Sequence, residues 1–227
     1  MSRKQSKAKC SYCGAEYAKN GMTKHLAACE KRQEAIRKAE QGNTRSETLY
    51  YVRVQDAGPG IYWLELEMRG PATLKDLDFY LRTIWLECCG HMSQFSVGGW
   101  SGEEIPMSRK VDAVFKLEHE LTHIYDFGTS SETLIKVIDT RVGKPLTKHP
   151  IELMARNLTP EEECIECGKP ATRLCLECLI EEDVWGVLCE EHIKKHPHKE
   201  NYGKPMRIVN SPRLGLCGYD GPAKPPY

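Results

Sequence analysis

The sequence has no run of about 18 apolar residues, so no segment of it is expected to span a bilayer. Its first ten residues are polar and basic with no apolar stretch behind them. No export signal is read there, and the cytoplasm is the expected compartment. No internal repeat is visible. Net charge is also absent: 32 Lys and Arg balance 32 Asp and Glu, which excludes a chain that is basic or acidic throughout. The balance is uneven, however. Residues 1–45 carry eleven Lys or Arg against four Glu, a net +7, so only this part is attractive to a polyanion. A solvated basic arm accounts for the same pattern. With 40% hydrophobic residues among 227, the chain has apolar matter for one modest core and reads as two or three units.

Cysteine, in contrast, is abundant. Eleven are present, an odd number, and the expected compartment disfavours disulfides. Eight fall in two clusters with metal-ligand spacing, which points to metal binding; Cys88, Cys89 and Cys217 stand outside. In the first cluster Cys10 and Cys13 are followed by eleven residues, His25, three residues and Cys29. A tight knuckle and two ligands at i, i+4 on one helix face can surround one tetrahedral Zn²⁺. Tyr17 and Met22 stand where so small a unit needs apolar packing. The segment resembles the CCHC variant of the ββα zinc finger. In base-reading fingers of that shape the reader positions would fall on Ala18, Gly21 and Lys24, of which the first two offer nothing to a base edge. No sequence-specific duplex readout is expected. Lys19, Lys24, Lys31 and Arg32 are the expected non-specific phosphate contacts, with a protein-docking face as the alternative. Residues 30–41 are almost wholly charged and helix-forming, a solvated spacer.

The second cluster places Cys164, Cys167, Cys175, Cys178, Cys189, His192, His196 and His198 within 35 positions. Eight ligands suit two tetrahedral zincs, making three for the chain. The few apolar residues between them form a thin core that needs staples. The run is similar to B-box and other cross-brace zinc modules. That resemblance pairs Cys164, Cys167, Cys189 and His192 on one metal and Cys175, Cys178, His196 and His198 on the other; sequential pairing is the alternative. With every ligand taken, these are structural sites.

Between the clusters the pattern is α+β. Tyr50, Val52 and Val54 alternate with polar neighbours, and Tyr62, Leu64, Leu66 and Met68 point one way against Glu65, Glu67 and Arg69. Thr73, with Asp76 after it, caps a helix carrying Leu74, Leu77, Leu81, Ile84 and Trp85. Strands follow near 95–97, 121–127 and 133–140, so a helix is expected across a mostly antiparallel sheet. His119, Glu120 and His123 match the zinc-protease motif letter for letter, but Thr122, Ile124, Tyr125 and Phe127 are strand formers, and a strand would turn Glu120 away from both histidines. No catalytic residue is therefore assigned. The metal-ligand alternative for His91, with Cys88 and Cys89, is set behind ordinary burial.

Tyr125, Asp126, Phe127 and Gly128 lead into the 133–140 strand. Upstream stand the 74–86 helix, Cys89, Gly90, His91, Met92, Ser93, Gln94 and Phe95, and the 61–68 strand. Together, over about residues 48–145, they resemble the plasmid pRiA ORF-3-like domain, also called transposon-passenger TnpR-like. The resemblance implies a fold and a loose association with mobile elements, and no activity. Residues 210–219 resemble the C-terminal stretch of zinc-cluster proteins with this central domain, which suggests an ordered loop packed on a neighbour; a flexible tail is the alternative. The expected units are a finger with a basic arm at 1–33, a charged helical linker at 34–46 and the α+β domain at 47–150. A two-zinc module at 160–200 and a Gly/Pro-rich tail at 201–227 follow.

Overall fold

Residues 6–86, 90–117, 119–198, 201–216 and 219 are described by a computed structural model. The basic N-terminal segment forms a short hairpin, β1 (Lys7–Cys10) and β2 (Glu16–Ala18), followed by α1 (Lys19–Ala28) and α2 (Glu30–Glu40). The alternating block forms β3 (Glu47–Asp56) and β4 (Trp63–Arg69), then α3 (Leu74–Leu81), which passes into a π-helical turn at Arg82–Leu86. Next come β5 (Ser93–Val97), β6 (Glu103–Ile105), α4 (Val111–Val114), β7 (Glu120–Tyr125), β8 (Ser131–Gly143) and β9 (Ile151–Asn157). The second cysteine-rich region contributes β10 (Arg173–Cys175), α5 (Leu176–Glu181), β11 (Gly186–Leu188), α6 (Glu190–Ile193) and β12 (Met206–Arg207). The first nine strands make one sheet in the order β2-β1-β9-β4-β3-β8-β7-β5-β6, and the last three another, β11-β10-β12. Every pairing is antiparallel. The fold is α+β, as the sequence pattern predicts. Among the described residues no helix is long and apolar enough to cross a membrane.

The two faces of the large sheet are covered differently. On one lies α3, started by the Thr73 cap: Thr73 Oγ1 accepts from the Asp76 amide at 3.3 Å while an Asp76 carboxylate oxygen accepts from the Thr73 amide at 2.7 Å. Leu74, Leu77, Leu81, Ile84 and Trp85 pack there against Tyr50, Val52, Val54, Leu64, Leu66 and Met68. Each such side chain, fully buried, contributes roughly 1.5–3 kcal/mol of transfer free energy.

The other face carries the charged alternates of β4, expected to meet water. They do not: Glu65 is 0% exposed and Glu67 4%. The finger and α2 lie over them. Met22 and Leu26 of α1 pack with Tyr51, Trp63, Met154 and Ala155. Bulges at Tyr51/Val52 and Glu65/Leu66 leave Ile138 and Met154 unpaired, and both residues join this cluster. The buried carboxylates survive because they are paired. Arg53 Nε donates to Glu65 at 2.9 Å, and Glu67 takes Arg32 at 2.9 Å and Arg141 at 2.6 Å. Glu65 is still pushed up to about 7, by burial above all, with Arg53 pulling the other way.

Several expectations change as a result. Lys7–Cys10 is a strand rather than part of a solvated basic arm, and residues 1–5 lie outside the described part. The finger is not a separate unit, because β1 pairs with β9, Ala8 opposite Asn157 and Cys10 opposite Ala155. The sheet runs past residue 150 to Asn157. The charged helix is docked rather than a free spacer, since its Arg32 is buried and Glu40 accepts from the Lys144 amide at 2.8 Å. In the tail after residue 201, Met206–Arg207 is a strand, and Val209, Ser211, Arg213 and Leu214 are buried, the ordered one of the two alternatives for that stretch.

Candidate metal centres

Every cysteine among the described residues belongs to one of three groups of four ligands, whose donor atoms within each group lie within 4.8 Å of one another. Cys88, Cys89 and Cys217 lie outside the described residues.

The first group is Cys10, Cys13, His25 and Cys29. Cys10 ends β1, and the chain folds back at once, the Cys10 amide donating to Ala15 O and the Gly14 amide to Cys10 O, both at 2.9 Å. Gly14 takes the left-handed conformation this knuckle needs, φ +77°. Cys13 Sγ comes within 3.2 Å of His25 Nε2 on α1. Cys29 is not on the helix face assigned to it; it is the extended residue between α1 and α2. Tyr17 stacks on the His25 ring at 4.5 Å and orients it.

The C-terminal ligands cross over. Cys164, Cys167, Cys189 and His192 form one group, and Cys175, Cys178, His196 and His198 the other. In the former, His192 Nδ1 stands 3.4 Å from Cys164 Sγ and 3.5 Å from Cys189 Sγ, and the Cys167 and Cys189 sulfurs are 3.9 Å apart. In the latter, Cys178 Sγ is 3.1 Å from His196 Nε2 and 3.3 Å from His198 Nδ1, and Cys175 Sγ is 3.4 Å from His198 Nδ1. A tetrahedral ion with metal–sulfur bonds near 2.3 Å and metal–nitrogen bonds near 2.0 Å sets donors roughly 3.3–3.8 Å apart, close to the 3.1–3.9 Å seen in these two groups. Gly186 is required where it stands, because a Cβ would meet the Cys178 Cβ at 2.5 Å.

The electrostatics of the thiols is uneven. Burial pushes the Cys10 thiol up to about 11 and the Cys178 thiol up to about 12, so neither ionises at neutral pH without a partner. At Cys164 burial acts the same way, but hydrogen bonds from backbone amides and from His192 outweigh it and hold the thiol near 6.

The four proposed phosphate contacts fare unequally. Lys24 is exposed, and Lys31 is exposed but paired with Glu34 at 3.0 Å. Lys19 is tied into the fold, donating to Gln55 Oε1 and Gly60 O at 2.8 Å each. Arg32 is buried on Glu67, also donating to Leu26 O at 3.2 Å. Neither Lys19 nor Arg32 is available to a phosphate.

The segment with the zinc-protease letters is a strand from Glu120 to Tyr125. His119 is exposed ahead of it, while His123 is fully buried with Nε2 2.8 Å from Asp78 Oδ1. The helical arrangement that chemistry requires is not formed. Sequence reasoning missed a second polar assembly on that side of the sheet, built from Asp78, Arg82, Ser93, Asp126 and Arg213. Nothing in residue spacing announces it, because its members come from four separate segments.

No family model matches the chain, and no curated protein matches it. A crystal structure of a protein of unknown function from Methanosarcina mazei Go1 matches 46% of this chain and 67% of that one, with 18% identity and a TM-score of 0.40.

Proposed function

We propose that the protein is a non-enzymatic binding protein holding three structural zinc ions, one in each group, and that its partner is a protein. The zinc assignment is supported by the donor chemistry: three Cys and one His, the same set again, then two Cys and two His. Such mixed sulfur–nitrogen tetrahedra suit zinc, and four protein donors leave no open position for a substrate. The observation that carries the choice of partner is the docking of the finger. Its apolar helix face is buried on the sheet, and Lys19 and Arg32 are consumed by internal contacts. Lys7, Lys9, Lys24, Lys31, Arg37 and Lys38 stay exposed but are spread over a hairpin strand and two helices, and Lys31 is held by Glu34. The resemblance of residues 48–145 to the plasmid pRiA ORF-3-like domain rests on the residue pattern and brings no activity with it.

Native mass spectrometry with metal analysis tests the first part, with three zincs per chain expected and two or fewer overturning it. Fluorescence anisotropy with generic DNA and RNA across a salt series tests the second. No binding at low salt is expected; salt-sensitive binding abolished by K24A/K31E would establish the nucleic-acid reading instead.

A further inference from the structure

The stretch after β12 is held by side chains more than by backbone ladders. Arg213 is 1% exposed. Its guanidinium donates to Asp126 Oδ2 at 2.8 Å, to Thr129 O at 2.9 Å and to Ser131 Oγ at 3.0 Å, and it lies over the Tyr125 ring at 5.3 Å. Around it, Ser211 Oγ donates to Trp85 O at 2.6 Å, Tyr219 donates to Ile84 O, and Leu214 joins the central core. The carbonyls used here belong to the π-helical turn at the end of α3.

The acceptors around Arg213 are set up without it. Asp126 adopts φ +65° at the end of β7, and its Oδ1 takes the amides of Gly128 at 3.0 Å and Thr129 at 3.2 Å. That turn aims Oδ2 inward. Tyr125 carries Arg82 over its ring at 5.0 Å, and Arg82 is anchored by Asp78 at 2.9 Å. A carboxylate, a carbonyl, a hydroxyl and an aromatic face converge on one point, the donor-and-plane pattern a guanidinium fits.

Two things bring Arg213 to that point: Asn210, which donates to Asn157 O at 2.7 Å and accepts from Arg156 at 2.6 Å, and the C-terminal metal module. β12 pairs with β10 through Arg173 opposite Arg207 and Leu174 opposite Met206, and the Ile208 amide donates to Thr172 O at 3.0 Å. β10 runs directly into the ligand Cys175. Leu174 and Val187 lie in the central core, but strands of two and three residues bury too little to stand without the ions of the metal reading.

We propose that the segment around Arg213 is a plug seated in a preformed pocket for an arginine side chain, and that metal in the Cys175, Cys178, His196 and His198 group latches it there. The proposal rests on the metal reading above. With the module folded, Arg213 hangs on a short link from β12. With it unfolded, the tether reaches back to Asn157, about fifty residues, and the effective concentration of the plug falls about 10- to 30-fold. The emptied pocket then takes an arginine from another chain.

The test is hydrogen–deuterium exchange of the full chain, with metals counted by native mass spectrometry. In C178S, with that metal lost, amides of residues 126–131 and 211–216 exchange about 10- to 30-fold faster while β3 and β4 keep their protection. In R213A the metal count stays at wild type, residues 126–131 open in the same way, and N-acetyl-arginine amide, but not N-acetyl-lysine amide, restores their protection. Continued protection of 211–216 in C178S, or joint opening of β3 and β4, overturns the latch. No restoration by the arginine amide overturns the pocket. A wild-type chain lacking metal at this group overturns the metal reading instead, and the count shows which has failed.

Discussion

At the N-terminal end, Met22 and Leu26 of the finger are buried against Trp63 and Met154 of the sheet; at the C-terminal end, the buried cluster consists of Cys164, Cys175, Cys178, Cys189 and Leu188. The finger borrows its core from its neighbour, and its strand β1 extends the neighbour's sheet. The C-terminal module has its own sheet, from which Leu174 and Val187 are buried in the central core, while round its cysteines Leu188 is the buried apolar side chain. The two ends therefore differ in backbone: one shares the central sheet, and the other only lays side chains on its core.

The sharpest way to break this comparison is to remove one ligand from each end. In C175S, amide protection throughout β10–β12 is expected to vanish, because structural zinc supplies about 10–16 kcal/mol of folding free energy to small metal modules. In C13S the finger loosens, but β1 stays paired to β9; exchange measurements on both variants decide, and equal loss at the two ends would erase the distinction. Next in size is W63A. It removes a fully buried side chain beneath the finger, and denaturant unfolding is expected to show a loss of about 3–5 kcal/mol. Smaller is R32A, about 2–3 kcal/mol, below the ~3–5 of an isolated buried pair because Arg141 still faces Glu67. K31A, at an exposed pair, should leave stability unchanged in the same assay and serves as its control.

The mildest expected effect is that of acid on the sheet. Burial works against the charge on Asp78 and Asp126, but His123 and Ser93 beside the one, and Arg213 and two turn amides beside the other, hold both carboxyls below their ordinary range. A depressed folded-state value stabilises in full above the unfolded value of about 4 and loses that contribution as pH falls through the folded value. From these two groups, thermal melts of the central sheet should decline only below about 4, while Glu65, pushed up to about 7, takes its proton more readily in the folded state and should raise the melting temperature slightly from pH 7 to 5. A decline beginning near pH 6 would mean these carboxylates are not the groups that matter.

How far residues alone disclose such a molecule depends on the range of the interaction. The Thr73 cap, the apolar face of α3 and the strands near 50, 65, 122 and 135 are local patterns, and all were readable. The twelve ligands stood out because metal spacing is short-range. The misreadings have one origin. Glu65, Glu67 and Arg69 alternate like the wet face of a half-buried strand, and only the docked finger, tens of residues away, dries Glu65 and Glu67. Lys19 and Arg32 looked like free cations for the same reason. β9 escaped notice because its bulge at Met154 breaks the two-residue alternation.

The pairing of β1 with β9 has a consequence for biosynthesis. The finger's four ligands have all emerged once Cys29 is made, yet the strand that leads into them has only β2 beside it, and its other edge stays open until Asn157 arrives. Such distant pairing is slow to form, so a nascent chain can carry its first ion long before the bed it settles into exists.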